Sequence, residues 1–167
     1  MTSYAWQKHI DQSVASRCII ETPGFDFFRC DRNVNGGGVL VATKNQVRAS
    51  DVKLDTFGEE MVIIRLPSNF AICCYYRPHD SLKNFDKVNN ALHSLYQRHL
   101  NHKVILLGDM NLPGIDWTTS LIKNGASHKC IQQQFINMLH ENSLTQIIRE
   151  TTHIHGNTLD LLYVNDT

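Results

Sequence analysis

Apolar residues occur along this chain in short runs separated by polar turns, and the runs predict both strands and helices. Runs of four to eight apolar or aromatic residues are typical of strands. They cover residues 25–30, 39–42, 61–66, 70–76, 104–107, 144–148 and 159–164. Apolar residues at spacings of three and four predict helices over residues 4–20, from Ser81 to about His99, and from Cys130 to about Asn142. Ser81 is the predicted N-cap of the middle helix.

The order of these elements predicts a mixed α/β layered fold in a single domain spanning residues 1–167. Two strand pairs have short turns between them and predict antiparallel hairpins: 25–30 with 39–42, and 61–66 with 70–76. The helix from Ser81 joins the strand at 70–76 to the strand at 104–107, which outlines a β-α-β crossover. Hairpins and crossovers together indicate a layered sheet covered by helices.

The stretch Lys103–Asp116 contains the strongest candidate site. Its four-residue apolar run is typical of a strand buried on both faces, and it ends at Gly108 before Asp109 and Asn111. Polar groups at the end of a buried strand lie where open α/β sheets bind their ligands. Asp and Asn are also common turn residues because their side chains bond the local backbone, so a purely structural role is the alternative.

Three further polar residues stand at or near predicted strand ends: Tyr76, Arg77 and Asp160. Asp160 is flanked by leucines, and acids are seldom fully buried unless they are paired. We therefore expect it to have a partner such as a histidine, an arginine or a metal ion; the alternative is that it faces solvent on an alternating strand. Tyr76 taken alone is more typical of strand packing.

Composition narrows the class of function. Apolar residues make up 42% and charged residues 19% of the 167 positions, as in ordinary globular proteins. Sixteen basic and sixteen acidic residues cancel, which leaves no overall basic field for nucleic acid. A local patch remains available for phosphate contacts, and its candidate members are Arg29, Arg32, Lys44, Arg48 and Arg77. We therefore expect weak, salt-sensitive binding to DNA.

Cysteine usage and hydropathy indicate an intracellular protein, nuclear or cytoplasmic. The five cysteines are odd in number, form no CxxC pair and include two inside an apolar run, so buried, reduced thiols are expected. No Cys/His spacing indicates zinc. No apolar run reaches the roughly 20 residues that span a bilayer, and the first residues lack the apolar segment of a secretory signal.

The run Gly36-Gly37-Gly38 is a candidate phosphate loop that we reject. It lacks the following Lys-Ser/Thr of a P-loop, and a strand rather than a helix follows it. Glycines at this position more often permit close approach of two backbones at the start of a strand.

Several of these motifs, taken in order, resemble the endonuclease/exonuclease/phosphatase superfamily. They are Tyr76-Arg77-Pro78, then Gly108-Asp109-Met110-Asn111, then Thr158-Leu159-Asp160. The stretches DRNVNGGGVLVATK (Asp31 to Lys44) and GNTLDLLYVN (Gly156 to Asn165) make the chain look like the apurinic-type endonuclease domain of non-LTR retrotransposons. The similarity covers nearly the whole chain from about Pro23 onward.

The resemblance implies a four-layer α/β sandwich of two mixed sheets flanked by helices, with Mg²⁺-assisted hydrolysis of DNA phosphodiesters at one edge. It implies that Asp109 orients or deprotonates the attacking water and that Asn111 holds the phosphate or the metal shell. It further implies that Tyr76 donates a hydrogen bond to the phosphate and that Asp160 orients a histidine. Arg77 is a candidate phosphate ligand. Hard oxygen ligands suit Mg²⁺, and donors are needed where phosphoryl oxygens gain charge.

The chain also departs from the family's pattern. Tyr4 stands where the family has a metal-binding Glu, and tyrosine is a poor Mg²⁺ ligand at neutral pH because its oxygen is normally protonated. The closing Ser-Asp-His signature is missing, and His153 and His155 do not match its position. We therefore expect a domain incomplete at its first and last strands, with little or no nuclease activity. The alternatives are a non-catalytic module with weak nucleic-acid or protein binding, and, less favoured, a phosphatase of the same superfamily.

Overall fold

The computed structural model describes residues 22–32, 37–54, 59–79, 81–83, 85–98 and 103–165. The helix predicted over residues 4–20 lies outside them. The strands are β1 (Phe25–Asp31), β2 (Gly38–Lys44), β3 (Ser50–Asp51), β4 (Glu60–Leu66), β5 (Phe70–Tyr76), β6 (Lys103–Asp109), β7 (Ile115–Asp116), β8 (Leu121–Ile122), β9 (Leu144–Gln146) and β10 (Asp160–Asn165). The helices are α1 (Asp86–Arg98) and α2 (Lys129–Glu141), and a short 3₁₀ turn covers Asn45–Val47.

The main sheet has six strands in the order β3-β4-β5-β6-β10-β9. β4 and β5 form the predicted antiparallel hairpin, and β5 pairs in parallel with β6 through α1, which confirms the predicted crossover. β10 then pairs antiparallel with β6. The sheet is therefore mixed, and the ends of β5 and β6 lie at the same edge as the start of β10.

The strands β1 and β2 form a separate hairpin sheet, also as predicted. β2 begins at Gly38, whose φ is +121° and where an added Cβ would lie 2.3 Å from the carbonyl oxygen of Cys30. Only glycine permits this approach, because it has no Cβ. Gly38 therefore serves close backbone contact, as predicted for this position.

The six-stranded sheet is buried on both faces, which explains its continuous apolar runs. One face packs against the hairpin sheet through a cluster that includes Val39, Val62, Ile64 and Cys74. The other face packs against α1 and α2 in a larger core whose fully buried side chains include Leu92, Leu95, Leu106, Phe135 and Tyr163. Two packed sheets with helices on the outer face confirm the predicted mixed α/β sandwich.

Helix α1 begins later than the sequence indicates, and Ser81 is not its N-cap. The helix starts at Asp86, whereas the Ser81 hydroxyl accepts a hydrogen bond from the Lys83 amide at 3.3 Å. The Ser81 amide donates to the Pro78 carbonyl at 3.2 Å, and the Arg77 guanidinium donates to the Ser81 carbonyl. These bonds hold Ser81 beside Pro78 and away from the helix, which begins only at Asp86.

Two smaller differences concern short strands. Between β6 and α2, where no strand is predicted, β7 and β8 form a short antiparallel pair. The strand predicted over 144–148 ends at Gln146, although the Ile147 amide still donates to the Leu162 carbonyl at 3.0 Å. Local composition defines such two- and three-residue strands poorly, because so few residues show no clear alternation of apolar and polar positions.

The four described cysteines are free thiols. Cys73 and Cys74 are buried in the main sheet, and burial raises the pKa of Cys73 to about 12 and that of Cys74 to about 11. These two thiols are therefore inert hydrophobic side chains, as expected. Cys130 is exposed, unlike the prediction. Within the described ranges, neither helix has the length and apolar composition to cross a membrane.

Candidate active site

Four polar residues form one row across the main sheet. Glu60 pairs with Tyr76, Tyr76 pairs with Asp109, and Asp109 pairs with Asp160. Side chains of direct cross-strand partners project from the same face of a sheet. Here that is the face toward the hairpin sheet, because Cys74 and Leu107, two positions earlier on their strands, belong to the cluster between the sheets. The sheet therefore brings together Tyr76, Asp109 and Asp160, three predicted site residues.

Asp109 and Asn111 are joined in a tight turn at the end of β6. The Asn111 amide donates to Asp109 Oδ1 at 3.0 Å, and Asn111 has a φ of +47°. Its side-chain Nδ2 donates to the Arg77 carbonyl at 2.7 Å. Asparagine tolerates this left-handed conformation better than most residues. The turn role that the sequence left open is thus real, and it also fixes the direction of the Asp109 carboxylate.

Gly108 allows the strands to close together immediately before this turn. Its φ is +140°, and an added Cβ would lie 1.8 Å from the carbonyl oxygen of Tyr75. No side chain fits in that space, so β6 requires glycine at this position. Gly108 therefore lets β6 approach β5 closely at the position just before Asp109.

The environment of Asp109 raises its pKa. Burial is the largest cause, and the negative charge of Asp160 adds to it; hydrogen bonds from Asn111 and the charge of His153 act in the opposite direction. A carboxylate with a raised pKa is a stronger base than an ordinary aspartate at the same pH. The site therefore favours proton acceptance at Asp109.

Arg77, the candidate phosphate ligand, is buried: the residue is only 4% exposed. The guanidinium donates to the Asn111 carbonyl at 3.2 Å and to the Ser81 carbonyl, and its carbon lies 5.9 Å from the centre of the Phe85 ring. The Arg77 amide also donates to the Asp109 carbonyl at 2.9 Å. These contacts of Arg77 stabilise the turn that contains Asp109 and Asn111.

Tyr76 contacts an ion pair that joins the two sheets. Arg32, which directly follows β1, binds Glu60 through two hydrogen bonds, Nε to Oε1 at 2.5 Å and Nη2 to Oε2 at 3.0 Å. The guanidinium carbon lies 5.2 Å from the centre of the Tyr76 ring. Glu60 is 9% exposed, so the pair is partly desolvated. This two-point geometry is the strong form of the Arg–carboxylate interaction.

Asp160 is the first residue of β10 and is exposed. A loop that folds back on itself fixes its backbone. The Thr152 hydroxyl oxygen accepts hydrogen bonds from the amides of Leu159 and Asp160 at 2.9 and 3.0 Å, and the Met110 amide donates to the Leu159 carbonyl at 2.9 Å. The neighbour of Asp160 in the sheet is another acid, Asp109. The exposure of Asp160 on an alternating strand fits the alternative that it faces solvent.

A shallow cleft of about 170 Å³ lies beside this loop. Two cations, Lys123 and Arg149, line it together with one acid, Asp116. The other lining residues are Thr118, Thr151, Thr158, Ile115, Trp117, Ile148 and Gly156. The Trp117 side chain is nearly buried, and its Nε1 donates a hydrogen bond to the Thr158 carbonyl at 3.2 Å, which holds the indole in place. The cleft therefore offers positive charge close to the loop that ends in Asp160.

The predicted basic patch is largely engaged in internal contacts. Arg29 binds Asp31 at 2.8 Å, and Arg32 and Arg77 make the contacts described above. Lys44 and Arg48 are exposed at the end of β2. Local cations at the cleft were missed, because Lys123 and Arg149 are 26 positions apart in the sequence and meet only in the fold.

Metal-binding capacity rests on carboxylate oxygens. No cluster of three or more His, Cys, Asp or Glu side chains suited to a metal ion occurs among the residues that the structure describes. Asp109 and Asp160 provide two neighbouring carboxylates, and Mg²⁺ is usually held by one or two carboxylates with water and substrate phosphate. The donor types therefore fit a hard divalent cation.

Sequence reasoning missed Thr152 and did not place Glu60 at the site. A usable signal existed for Glu60, because it lies at even spacing from Val62 and Ile64 on a strand and so shares their face. Thr152 gave no comparable signal, since its contacts lie seven and eight residues away within an irregular loop.

The two-sheet fold and a family model that covers more than half of the chain identify a domain of the endonuclease/exonuclease/phosphatase superfamily. A family model described as endonuclease-reverse transcriptase matches residues 70–167, from the start of β5 onward. The chain belongs to this family. A search of the curated proteins finds no match.

Solved structures with a similar fold include an endonuclease domain and a phosphatase bound to DNA. The endonuclease domain of TRAS1, a telomere-specific non-LTR retrotransposon, is 15% identical with a TM-score of 0.53; the match covers 85% of this chain and 65% of that one. CdtB, the biologically active subunit of cytolethal distending toxin, is 13% identical with a TM-score of 0.53, over 85% and 54%. The 3′ phosphatase NExo from Neisseria, bound to a product DNA hairpin, is 13% identical with a TM-score of 0.50, over 85% and 67%.

At 13–15% identity, these superpositions show a shared fold and no more. The chain spans about two thirds of the TRAS1 domain and about half of CdtB.

Proposed function

We propose that this chain is a weakly active Mg²⁺-dependent phosphodiester hydrolase that nicks DNA slowly, since Tyr4 stands where the family has a metal-binding Glu. The observation that carries the proposal is the single row in which Tyr76, Asp109 and Asp160 stand on three adjoining strands. This row supplies a hydrogen-bond donor, a base with a raised pKa and a second carboxylate at one sheet edge. Family membership and the DNA-acting proteins of the same fold support DNA as the substrate.

Asp109 is the proposed base. Its carboxylate is half-buried and is held in place by the Asn111 amide. In the proposed reaction it orients a water molecule and accepts a proton from it as the water oxygen attacks the phosphorus atom. The bond from phosphorus to the leaving sugar oxygen breaks, and that oxygen takes up a proton from solvent. In the metal-free site the raised pKa increases the affinity of Asp109 for a proton, whereas a bound Mg²⁺ would favour the charged carboxylate that orients the water.

Tyr76 and Asn111 are the proposed phosphate contacts. The Tyr76 hydroxyl donates a hydrogen bond to a non-bridging phosphoryl oxygen as charge builds on it, which lowers the barrier if the donor is already in position. The Asn111 side chain is fixed by its bond to the Arg77 carbonyl, and its carbonyl oxygen Oδ1 is the group presented to a metal shell. Arg77 acts through this turn rather than on the phosphate.

Asp109, Asp160 and Asn111 Oδ1 are the oxygen donors proposed to hold Mg²⁺. When bound, the ion neutralises phosphate charge and polarises the phosphoryl oxygen. Asp160 has a second effect that requires no metal, since its charge contributes to the raised pKa of Asp109.

The cleft lined by Lys123 and Arg149 is the proposed contact for DNA backbone phosphates beyond the scissile one. The Lys123 ammonium donates to the Pro113 carbonyl at 2.8 Å and lies 3.5 Å from Asn157 Oδ1, which holds it at the cleft. An ammonium has three N–H donors, so one remains for a ligand. A phosphate contact of this kind positions a strand without reading its sequence.

Nicking of supercoiled plasmid by the purified chain tests the proposal. We expect nicking with Mg²⁺, none with EDTA, and loss of nicking in Asp109→Ala purified in parallel. Equal nicking by both proteins would identify a contaminant. Absence of nicking by a folded chain that still binds plasmid DNA would reject the hydrolase and favour the non-catalytic DNA-binding module.

A further inference from the structure

The pair formed by Arg32 and Glu60 lies outside every role assigned so far. It joins the hairpin sheet to the main sheet at the row that holds Tyr76 and Asp109. We infer that Arg32, clamped by Glu60, is a positioning residue that directs the Tyr76 hydroxyl toward the substrate phosphate. The inference rests on the proposed function, because it assigns Tyr76 a phosphate to bind.

The first step is the rigidity of Arg32. Its side chain is 40% exposed, whereas that of Glu60 is 11% exposed. A mostly buried carboxylate with two guanidinium hydrogen bonds holds the flat arginine fork in one orientation. Lysine at this position could keep the charge but not the two-point contact.

The second step is the contact with Tyr76. The guanidinium lies over the phenol ring, 5.2 Å from its centre, and interaction with Tyr76 is, after the hydrogen bond to Glu60, one cause of the raised pKa of Arg32. Arginine nitrogens donate and never accept, so the Tyr76 oxygen can only be an acceptor toward Arg32. The hydroxyl proton is therefore left to donate elsewhere.

The third step is the direction in which that proton can point. Tyr76 stands between Glu60 and Asp109 in the row. The Glu60 carboxylate oxygens accept from Arg32. This arrangement leaves the phenol proton free to turn toward the Asp109 side, where the proposed phosphate lies. Positioning contacts of this kind are typically worth roughly 10- to 100-fold in activity.

The test uses the whole chain with isotope-labelled tyrosine. The Tyr76 ring resonance is identified by its absence in Tyr76→Phe. Its chemical shift is then followed by NMR as a short DNA duplex is added without Mg²⁺, so that no hydrolysis is needed. We expect the resonance to move in the wild-type chain, to lose most of that response in Arg32→Gln, and to recover only part of it in Arg32→Lys.

Arg29→Gln is the matched control, since Arg29 is an exposed arginine on β1 that is paired with Asp31 within its own strand. It should respond to DNA like the wild type. Equal responses in Arg32→Gln and the wild type, or no response in the wild type, would overturn the inference. Amide spectra identify any variant that has not folded. If Arg32→Gln has not folded, the response of Arg32→Lys is compared with that of the wild type instead.

Where nicking is measurable, Arg32→Gln should lower kcat by roughly 10- to 100-fold with little change in KM, because the lost contact acts on the transition state. Nicking that depends on Asp109 but not on Arg32 would remove this inference and leave the proposed function intact. A Tyr76 response to DNA that depends on Arg32, in a chain that does not nick DNA, would support this inference and reject the proposed hydrolase.

Discussion

Asp109 and Asp160 are direct partners across the antiparallel strands β6 and β10. Two acids in this arrangement repel one another, and the repulsion adds to burial in raising the pKa of Asp109. A structure that keeps such a pair gains nothing in stability from it. The pair is instead suited to holding a cation or a proton between two carboxylates, which is what phosphodiester hydrolysis needs.

Asp109→Asn is expected to stabilise the fold at neutral pH. Because the folded-state pKa of Asp109 is raised, the folded chain keeps a proton at pH values where the unfolded chain has already lost it. The stability contributed by Asp109 therefore falls as pH rises from the ordinary aspartate range through the raised pKa. Urea unfolding at several pH values should show a higher midpoint and a flatter pH dependence in the variant.

Asp116→Asn is the control of opposite sign. The Thr118 amide donates to Asp116 Oδ1 at 2.9 Å and lowers the pKa of this exposed carboxyl. The stability that Asp116 contributes to the fold is fully present at pH values above the ordinary aspartate range. It is lost as the pH falls through the lowered pKa of Asp116. Asp116→Asn should therefore be less stable than the wild type at neutral pH. A lower neutral-pH midpoint for Asp109→Asn would contradict the account of Asp109.

Mg²⁺ is expected to stabilise the wild-type chain and not Asp109→Asn. An ion that binds only the folded state stabilises it by about 1.4 kcal/mol at a concentration tenfold above its Kd. Thermal unfolding monitored across a series of MgCl₂ concentrations measures the effect, with NaCl of equal ionic strength as the reference. Equal shifts in both proteins would show that the metal binds away from Asp109.

Gly108→Ala is expected to destabilise the fold by about 3 kcal/mol or more, because its Cβ would overlap the Tyr75 carbonyl. Gly125→Ala separates the clash from backbone strain. Gly125 also has a positive φ, +78°, but nothing lies within 4 Å of an added Cβ, so about 1 kcal/mol is expected there. Chemical denaturation of the two variants measures the difference. Similar losses in both would show that the clash relaxes.

Tyr163→Phe and Tyr75→Phe remove the same hydroxyl group from two buried rings with opposite expected results. Tyr163 is fully buried, and within the described part of the chain its hydroxyl has no hydrogen-bond partner. Its removal should be neutral or stabilising by about 1 kcal/mol. The Tyr75 hydroxyl donates to Glu59 at 3.2 Å, so its removal should destabilise by about 1–3 kcal/mol. Guanidinium unfolding compares the two; destabilisation by Tyr163→Phe would mean that a water molecule satisfies its hydroxyl.

Arg149→Gln is expected to weaken DNA binding uniformly across sequences and to reduce the salt dependence of binding by about one phosphate contact. Arg98→Gln is the matched control. Arg98 is an exposed arginine at the end of α1, which leads into the start of β6 and so lies at the sheet edge opposite Asp109. Fluorescence anisotropy of a labelled duplex at several salt concentrations measures both. An unchanged Arg149→Gln would exclude the cleft as a phosphate contact.

The sequence by itself determined the order and type of the main elements and the end of β6 as the candidate site. Hydrophobic periodicity is local, so it shows where a strand or helix lies and where it stops. The Gly-Asp-Met-Asn turn is also local, since Asp109 and Asn111 bond within two residues of one another. Tyr76 and Asp160 were found from the order of the motifs.

Only the tertiary structure decided which side chains meet. Strand register placed Glu60 beside Tyr76 and Asp109 beside Asp160, and register depends on pairings between residues far apart in the chain. The same packing turned Arg77 inward and joined Arg32 to Glu60 across two sheets. A guanidinium has the same composition whether it faces solvent, a carbonyl or a ring; its neighbours in space, which hydrophobic periodicity does not encode, decide what it does.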